Sequence, residues 1–391
     1  MNWDDVIIEA VATDTGMRRL NNQDSHAMVR ASNEESWRQR GHVFLVADGM
    51  GAHAVGELAS KMACDLIPHN YMKARSGTPS EAIVKAFREV STLIHGRASA
   101  NRDFQGMGTT SSALLLLPAG ALVAHVGDSR VYRIRGEVID QLSFDHSLVW
   151  ELIKRNHLSP DQTNHSVPKN VITRSLGPEL EVEVDVEGPL EVRLGDVFLI
   201  CSDGLSGPVT DPELGAFAAN FHPREACKYL VNLANLRGGL DNITVVIVRI
   251  GPWVDPDSAE VARQGSGEHK STRKTKGPGV WERLAATIKN RGRAREPEVV
   301  EDHPHRTARC PIDEALIHKY DELTRHIQDQ AVAQAWALDW TALAALRRQL
   351  ADARATGNPR SSLRKLGEII ALLGQAARFA RKSAGPTSHV H

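Results

Sequence analysis

Four aspartates that stand at the ends of strand-like apolar runs are the residues of this sequence best suited to chemistry. The first of them, Asp48, ends the apolar run 43–47 and is followed by Gly49 and Gly51. A carboxylate at the end of a buried strand is costly unless a cation holds it there. Two glycines within three residues let the backbone turn tightly enough to present a carbonyl oxygen beside that carboxylate. Such oxygen ligands suit Mg²⁺ or Mn²⁺.

The same pattern returns three more times along the chain. Asp128, Asp203 and Asp241 each stand next to Gly, Ser or Asn at one end of an apolar run. A single Asp-Gly pair is most often an ordinary turn, and for any one of these sites that interpretation stays open. Four occurrences in one chain favour a shared cation site.

A polar loop near the N-terminus adds a residue that could bind an anion. It spans residues 14–24, contains the adjacent Arg18 and Arg19, and ends in Asp24. A planar guanidinium can bind a phosphate through two parallel hydrogen bonds. The alternative is a surface loop with solvated arginines.

Composition limits the class of protein. A chain of 391 residues is longer than one ordinary domain, which predicts two domains. A hydrophobic content of 41% with 24% charged residues is typical of a soluble globular protein. No apolar run approaches the roughly 20 residues of a membrane span, and the first residues lack the basic start of a signal peptide.

Cysteine spacing and charge distribution add two further expectations. The four cysteines have neither paired nor zinc-type spacing, so we predict a reducing, cytoplasmic compartment. None of them lies in a phosphate-cradling loop that would indicate a thiolate nucleophile. The formal net charge of −1 conceals an acidic N-terminal part and a basic C-terminal third. An acidic part is what a cation site needs, although solvated surface carboxylates give the same count.

Short strands and amphipathic helices must position these residues. Apolar runs joined by tight turns predict antiparallel strands, and helical periodicity predicts helices between them. The predicted strands are 6–13, 43–47, 111–117, 121–126, 131–134, 197–201 and 243–250. The predicted helices are 54–74, 79–100, 148–156, 211–220 and 223–236.

The rest of the chain differs in character. Residues 253–310 are rich in Pro, Gly, Ser and charge, which predicts a flexible linker after a first domain at 1–252. Three apolar stripes at helical spacing follow in 311–385 and predict a small all-α bundle. We expect this bundle to be an accessory domain that binds a protein partner or associates with itself, because its stripes need burial. Its basic face could meet acidic partners or the acidic N-terminal part of the chain, although a solvated charged surface is the default interpretation.

The ordered set of motifs resembles the metal-dependent serine/threonine phosphatases of the protein phosphatase 2C-like (PPM) type, in their bacterial form. The resemblance covers residues 5–251, and each motif alone is weak whereas the ordered set is specific. The motifs are Arg19 with Asn22-Gln-Asp24, Asp48-Gly-Met-Gly51, Gly106-Met-Gly-Thr-Thr110, Gly127-Asp-Ser-Arg130, Asp145-His-Ser147, Thr173-Arg-Ser-Leu-Gly177, Ser202-Asp-Gly-Leu205 and Asp241-Asn-Ile-Thr244.

The resemblance implies an α+β fold, a four-layer α-β-β-α sandwich of two antiparallel sheets flanked by helices. It implies two tightly bound Mn²⁺ or Mg²⁺ ions and a weaker third. Asp48 would bridge two of them, with the Gly49 carbonyl on one and Asp203 and Asp241 on the other. Asp128, with Asp203, would hold the third ion. Asp24 would act mainly through metal-bound water, and Arg19 would bind the substrate phosphate.

Two positions depart from the pattern of many relatives. Met50 stands where eukaryotic members carry a histidine proposed as general acid, and methionine cannot donate a proton. His53 is the nearby candidate for that role, with a packing or supporting position as the alternative. Gln23 replaces an acidic residue and removes one charge on the metal side.

These features predict an enzyme that hydrolyses phosphoserine and phosphothreonine in proteins. A metal-bridging hydroxide would attack phosphorus in line, without a phosphoenzyme intermediate. Its partners would be phosphoprotein substrates of a serine/threonine kinase, with no nucleic acid and no membrane span. The alternative is a non-catalytic phosphoprotein-binding scaffold with a helical docking module, which would be expected to lose the acidic residues that this chain retains.

Overall fold

The computed structural model describes residues 6–51, 55–154, 171–253 and 304–384. Its strands are β1 (Ile7–Asp14), β2 (Asp24–Val29), β3 (His42–Met50), β4 (Gly108–Thr109), β5 (Ser111–Leu117), β6 (Gly120–Val126), β7 (Arg130–Arg135), β8 (Val138–Gln141), β9 (Asp185–Leu190), β10 (Val197–Cys201), β11 (Ile243–Ile250) and β12 (Arg306–Arg309). Its helices are α1 (Glu34–Arg40), α2 (Val55–Lys73), α3 (Pro79–Ala100), α4 (Leu148–Lys154), α5 (Asp203–Ser206), α6 (Asp211–Asn220), α7 (Pro223–Leu236), α8 (Glu314–Ala333), α9 (Trp340–Ala355) and α10 (Pro359–Ala384).

The strands form two antiparallel sheets. One has the order β1-β11-β10-β7-β8-β12, and the other has the order β2-β3-β5-β6-β9, with β4 paired to the end of β3. Neighbouring strands in both sheets run antiparallel, as tight turns between short apolar runs predict. None of the described helices is long and apolar enough to cross a membrane.

Alternating side chains of the central strands fill three hydrophobic layers. On β3, Phe44 and Val46 lie in the layer between the sheets, whereas Val43 and Leu45 face helices α2 and α3. Successive side chains of a strand point to opposite faces, so a strand buried on both faces reads as one apolar run. The other two of these three layers lie on the outer faces of the sheets, where helices pack against them. The result is an α-β-β-α sandwich, which confirms the predicted fold class.

Strand β12 lies in a range that the sequence assigned to the linker. Its residues pair antiparallel with β8, with Arg306 opposite Gln141 and Arg309 opposite Val138. The segment alternates charged and small side chains and carries no apolar run, so periodicity does not reveal it. Backbone pairing to an exposed sheet edge holds it instead. The remainder of the predicted linker, residues 254–303, lies outside the described residues.

The three C-terminal helices share their hydrophobic layer with the sheet bearing β10 and β11. Leu366 and Ile370 of α10 are fully buried in the same cluster as Tyr229 and Leu230 of α7. The described residues of 304–384 accordingly belong to one compact unit with the described residues of 6–253. The predicted stripes are therefore buried against the first part of the chain. The division into domains 1–252, 253–310 and 311–385 stays a prediction.

A buried ion-pair cluster adds to that attachment. Glu213 of α6 binds Arg237 at 2.7 Å, and the ammonium of Lys319 from α8 approaches it to 2.8 Å. Burial by itself raises the pKa of Glu213, but the hydrogen bonds from Arg237 and Lys319 hold it well below its ordinary value. The carboxylate is therefore charged and paired, as a buried charge must be.

Candidate active site

The five predicted aspartates all stand where strands of the two sheets end. Asp24 begins β2 and Asp48 lies near the end of β3, directly opposite it in the antiparallel register. Asp128 lies in the turn between β6 and β7, Asp203 begins α5 just after β10, and Asp241 precedes β11. Residues up to 217 positions apart are thus brought to one edge of the sandwich.

Hydrogen bonds from neighbouring strands fix two of these aspartates. The Ser202 hydroxyl donates to Asp24 Oδ2 at 2.7 Å, and Ser202 in turn accepts from the Thr244 amide at 3.0 Å. The Thr110 hydroxyl accepts from the Asp48 amide at 2.9 Å, and the Thr110 amide donates to the Asp48 carbonyl at 2.9 Å. The Asp24 carboxylate is therefore positioned by a residue of the other sheet, whereas Asp48 is held in place through its backbone.

Glycines let the backbones approach closely at this edge. A Cβ on Gly204 would lie 1.9 Å from the Asn242 carbonyl oxygen, and one on Gly49 would lie 2.0 Å from the carbonyl oxygen of Gly56. No side chain fits at such distances, so these motif glycines are required by space. The contact of Gly204 with Asn242 brings the Asp203 and Asp241 motifs together.

The aspartates influence each other electrostatically. Burial raises the pKa of Asp24 to about 7, against hydrogen bonds from Ser202 and Thr244 and with help from the Asp203 and Asp241 charges. Burial likewise raises the pKa of Asp128 to about 8, with Asp203 as the strongest charged contributor. The pKa of Asp48 stands well above its ordinary value, first through burial and then through the other four carboxylates.

Three carboxylate oxygens of the cluster have no hydrogen-bond donor. They are Asp24 Oδ1, Asp128 Oδ1 and Asp203 Oδ1, each buried. Buried acceptors in proteins are nearly always satisfied, so these atoms need a partner of another kind.

A divalent cation fits this arrangement. Mg²⁺ and Mn²⁺ prefer oxygen ligands that carry negative charge, and this cluster offers them. A bound cation would also give the unpartnered buried oxygens the partner that they lack. In the described part of the chain, no group of three or more His, Cys, Asp or Glu side chains is arranged so that it could hold a metal ion as it stands. The fit therefore rests on the orphaned oxygens and the mutual repulsion of the carboxylates.

Arg19 stands at the rim of the cluster. Its Nη2 donates to Asp241 Oδ2 at 2.7 Å, and half of the arginine side chain remains exposed to solvent. The loop that carries it is tied to the site by Asn242, whose side-chain amide donates to the Thr15 and Asn21 carbonyls. The predicted phosphate-binding arginine is therefore next to the predicted metal ligands.

Two predicted roles are not visible in these contacts. His53 lies outside the described residues, so its assignment as general acid stays a prediction. The Gly49 carbonyl also stays a predicted ligand; the structure shows that this residue contacts the Gly56 backbone closely and that its amide donates to the Gln23 carbonyl at 3.1 Å.

Sequence reasoning missed two supporting residues. Ser202 and Asn242 both stand beside a predicted ligand in the quoted motifs, and that adjacency was the only available signal. Ser202 bonds to Asp24, which is 178 residues away in sequence, and Asn242 bonds to Thr15, which is 227 residues away. A local pattern cannot identify partners at such separations.

We expect the metal-free protein to lose stability as pH rises from about 5 to 8. Because the folded-state pKa values of Asp24 and Asp128 lie above the unfolded ones, the folded state binds more protons in this window. The loss should be about 1–3 kcal/mol in the free energy of unfolding, measured by denaturant titration in EDTA. Mn²⁺ should therefore raise the melting temperature more at pH 8 than at pH 6.

The variant Asp128→Asn provides the control for this pH dependence. It removes one titrating group, so its stability should fall less steeply over the same window. A wild-type stability that rises or stays level from pH 5 to 8 in EDTA would contradict the prediction.

Residues 17–234 of this chain match the model of the family described as protein phosphatase 2C. The protein phosphatase PhpP of Streptococcus pneumoniae is 35% identical over 244 residues, which are 61% of this chain and 96% of that protein. The C-terminal helices therefore lie beyond the part that these relatives share.

Solved structures agree with the sequence relatives. The S. agalactiae serine/threonine phosphatase superposes with a TM-score of 0.56 at 31% identity, covering 62% of this chain and 99% of that one. The catalytic domain of the serine/threonine phosphatase PstP, in complex with two manganese ions, gives a TM-score of 0.53 at 30% identity. That match covers 63% of this chain and 99% of the other.

Proposed function

This chain belongs to the protein phosphatase 2C family, and from that premise we propose that it hydrolyses phosphoserine and phosphothreonine in proteins with the help of divalent cations. The observation that carries the proposal is the convergence of five aspartates from both sheets, three of them with a buried, unpartnered oxygen. A relative that the chain covers over 96% of its length is a protein phosphatase by name, and one solved neighbour holds two manganese ions.

We assign the ligands as follows. Asp48 would be shared between two cations, with Asp203 and Asp241 on one side and the Gly49 carbonyl on the other. Asp128 would hold a third cation together with Asp203. When bound, such cations supply Lewis-acid charge and lower the pKa of water.

The chain's own residues complete the reaction. Arg19 would either break its hydrogen bond to Asp241 or keep it while it also contacts the substrate. Its planar guanidinium would bind two phosphoryl oxygens. Asp24, held by Ser202 at 2.7 Å, would orient the attacking water for an in-line displacement. The four cysteines are buried, and burial raises their thiol pKa values, so they are unsuited to act as nucleophiles. Water would therefore attack phosphorus directly.

Mn²⁺-dependent hydrolysis of p-nitrophenyl phosphate and of a phosphothreonine peptide tests the proposal. Wild-type protein should be active in Mn²⁺ and inactive in EDTA, and Asp203→Ala should be inactive in both. Activity that needs no metal and survives Asp203→Ala would contradict it. Calorimetry that shows no Mn²⁺ binding would instead support the alternative, a non-catalytic phosphoprotein-binding scaffold.

We expect Arg19→Ala to weaken substrate binding more than it slows chemistry. Removing a charged, bidentate phosphate contact should raise KM about 10-fold to 100-fold, with a smaller fall in kcat. Arg19→Lys keeps the charge without the two parallel donors and should restore only part of the affinity. An unchanged KM for the phosphothreonine peptide in Arg19→Ala would remove this residue from the site.

A further inference from the structure

The C-terminal helix α10 lies unusually close to the phosphatase part of the chain. A Cβ on Gly367 would lie 2.7 Å from the Tyr229 ring, and one on Gly374 would lie 2.3 Å from the Asn232 side chain. The two glycines stand seven residues apart, on one face of the helix. They let the backbone of α10 pack directly against α7, which fixes the direction in which the helix runs.

The last turns of α10 reach the loop that carries Arg19. Arg378 pairs with Asp14 at 3.1 Å, and Arg381 donates to the carbonyl oxygens of Gly16 at 2.7 Å and Arg19 at 3.2 Å. The helix is therefore part of the surroundings of the proposed phosphate-binding arginine.

A pocket of about 670 Å³ lies between this loop and the end of α10. Its lining contains four cationic side chains and a single carboxylate, that of Asp14. The cations are Arg19, Arg378, Arg381 and Lys382. Leu20 and Phe379, which are 86% and 59% exposed, add apolar surface. Arg19 and Arg378 are paired with the carboxylates of Asp241 and Asp14, whereas Arg381 donates to carbonyl oxygens that do not offset its charge. The charges of Arg381 and Lys382 therefore leave the pocket net positive.

We propose that this pocket binds acidic residues next to the phosphorylated residue of a protein substrate. The inference rests on the proposed function, which places the phosphate on Arg19. Arg19 also lines the pocket, so a phosphate bound to Arg19 would place the neighbouring substrate residues at its entrance. An extended peptide advances about 3.3 Å per residue, so the residues next to the phosphoresidue would reach into the pocket. Carboxylates there would meet Arg381 and Lys382, whose charge complements them. The C-terminal helix is thereby a specificity element of the phosphatase.

Two phosphothreonine peptides test the proposal, one with three Glu on each side of the phosphoresidue and one with Gln at the same positions. The measured quantity is the ratio of their kcat/KM values, at low salt, in Mn²⁺. Wild-type protein should prefer the acidic peptide about 10-fold, and the preference should shrink in 0.5 M salt.

Lys382→Glu should bring the ratio close to one, and Lys382→Gln should give an intermediate value. The matched control is Lys73→Glu, since Lys73 is also an exposed lysine in the last turn of a helix but lies at the end of α2. This control should keep the wild-type ratio.

A wild-type ratio within twofold of one, or the same ratio in Lys382→Glu as in Lys73→Glu, would overturn the inference. If p-nitrophenyl phosphate is still hydrolysed with Mn²⁺ in that case, the proposed function stands and only the pocket assignment fails. If no substrate is hydrolysed in Mn²⁺, the proposed function fails and the pocket assignment fails with it.

Discussion

Asp48→Asn should lower kcat/KM at least about 1000-fold while making the metal-free protein more stable. The amide has the shape of the carboxylate but is a poor ligand for a hard cation, and several kcal/mol of charge stabilisation are at stake. In the metal-free protein the same substitution removes the Asp48 carboxyl group, whose pKa is raised by burial and by the other four aspartates. Stability at pH 8 in EDTA should therefore rise by about 1–2 kcal/mol.

Asp196→Asn is the matched control, with the opposite expectation for stability. Asp196 is buried but pairs with Arg135 at 2.7 Å and accepts from the Arg193 amide at 2.7 Å, away from the five aspartates. Losing this ionic partner should cost about 1.5–3 kcal/mol in the free energy of unfolding. Its kcat/KM should change less than about threefold. If Asp48→Asn destabilises the metal-free protein as Asp196→Asn does, Asp48 belongs to a structural ion pair and the cation site is wrong.

Leu366→Ala in the C-terminal helix should destabilise the phosphatase part of the chain by about 3 kcal/mol. The side chain is fully buried in a cluster shared with α7, and removing it leaves a cavity that the packed helices cannot close. Because the cluster is continuous, thermal unfolding followed by calorimetry and by residual activity should show one transition that moves as a whole.

Leu93→Ala on α3 is the control for that experiment. Leu93 is a helical leucine that is half exposed, and its truncation should change stability by less than about 1 kcal/mol. Two separate transitions in Leu366→Ala, with the loss of activity unshifted from wild type, would instead show that residues 311–385 fold as an independent module.

Shared burial gives the C-terminal helices a consequence for the active site. The same helix that buries Leu366 against α7 ends at the loop bearing Arg19, through Arg378 and Arg381. A change in the packing of α10 is therefore expected to alter the position of that loop as well as overall stability. The relatives named above match only about three fifths of this chain, and the C-terminal helices lie outside the matched part.

Much of the fold and of the site could be predicted from the sequence. Strands buried on both faces read as apolar runs, and the aspartates at their ends marked the edge where ligands gather. Helix α3 spans Pro79–Ala100, as helical periodicity predicts, and the structure shows that Thr78 caps its start. Five strands were not predicted, because each is short and none carries a continuous apolar run; they are β2, β4, β8, β9 and β12.

The sequence by itself determined which residues could bind cations and that the C-terminal stripes needed burial. Only the tertiary structure decided what covers those stripes and where α10 ends. An apolar stripe records that one face of a helix is buried, but it holds no information about the surface it packs against. The contact of Arg381 with Gly16 joins residues 365 positions apart, and only the folded chain brings them together.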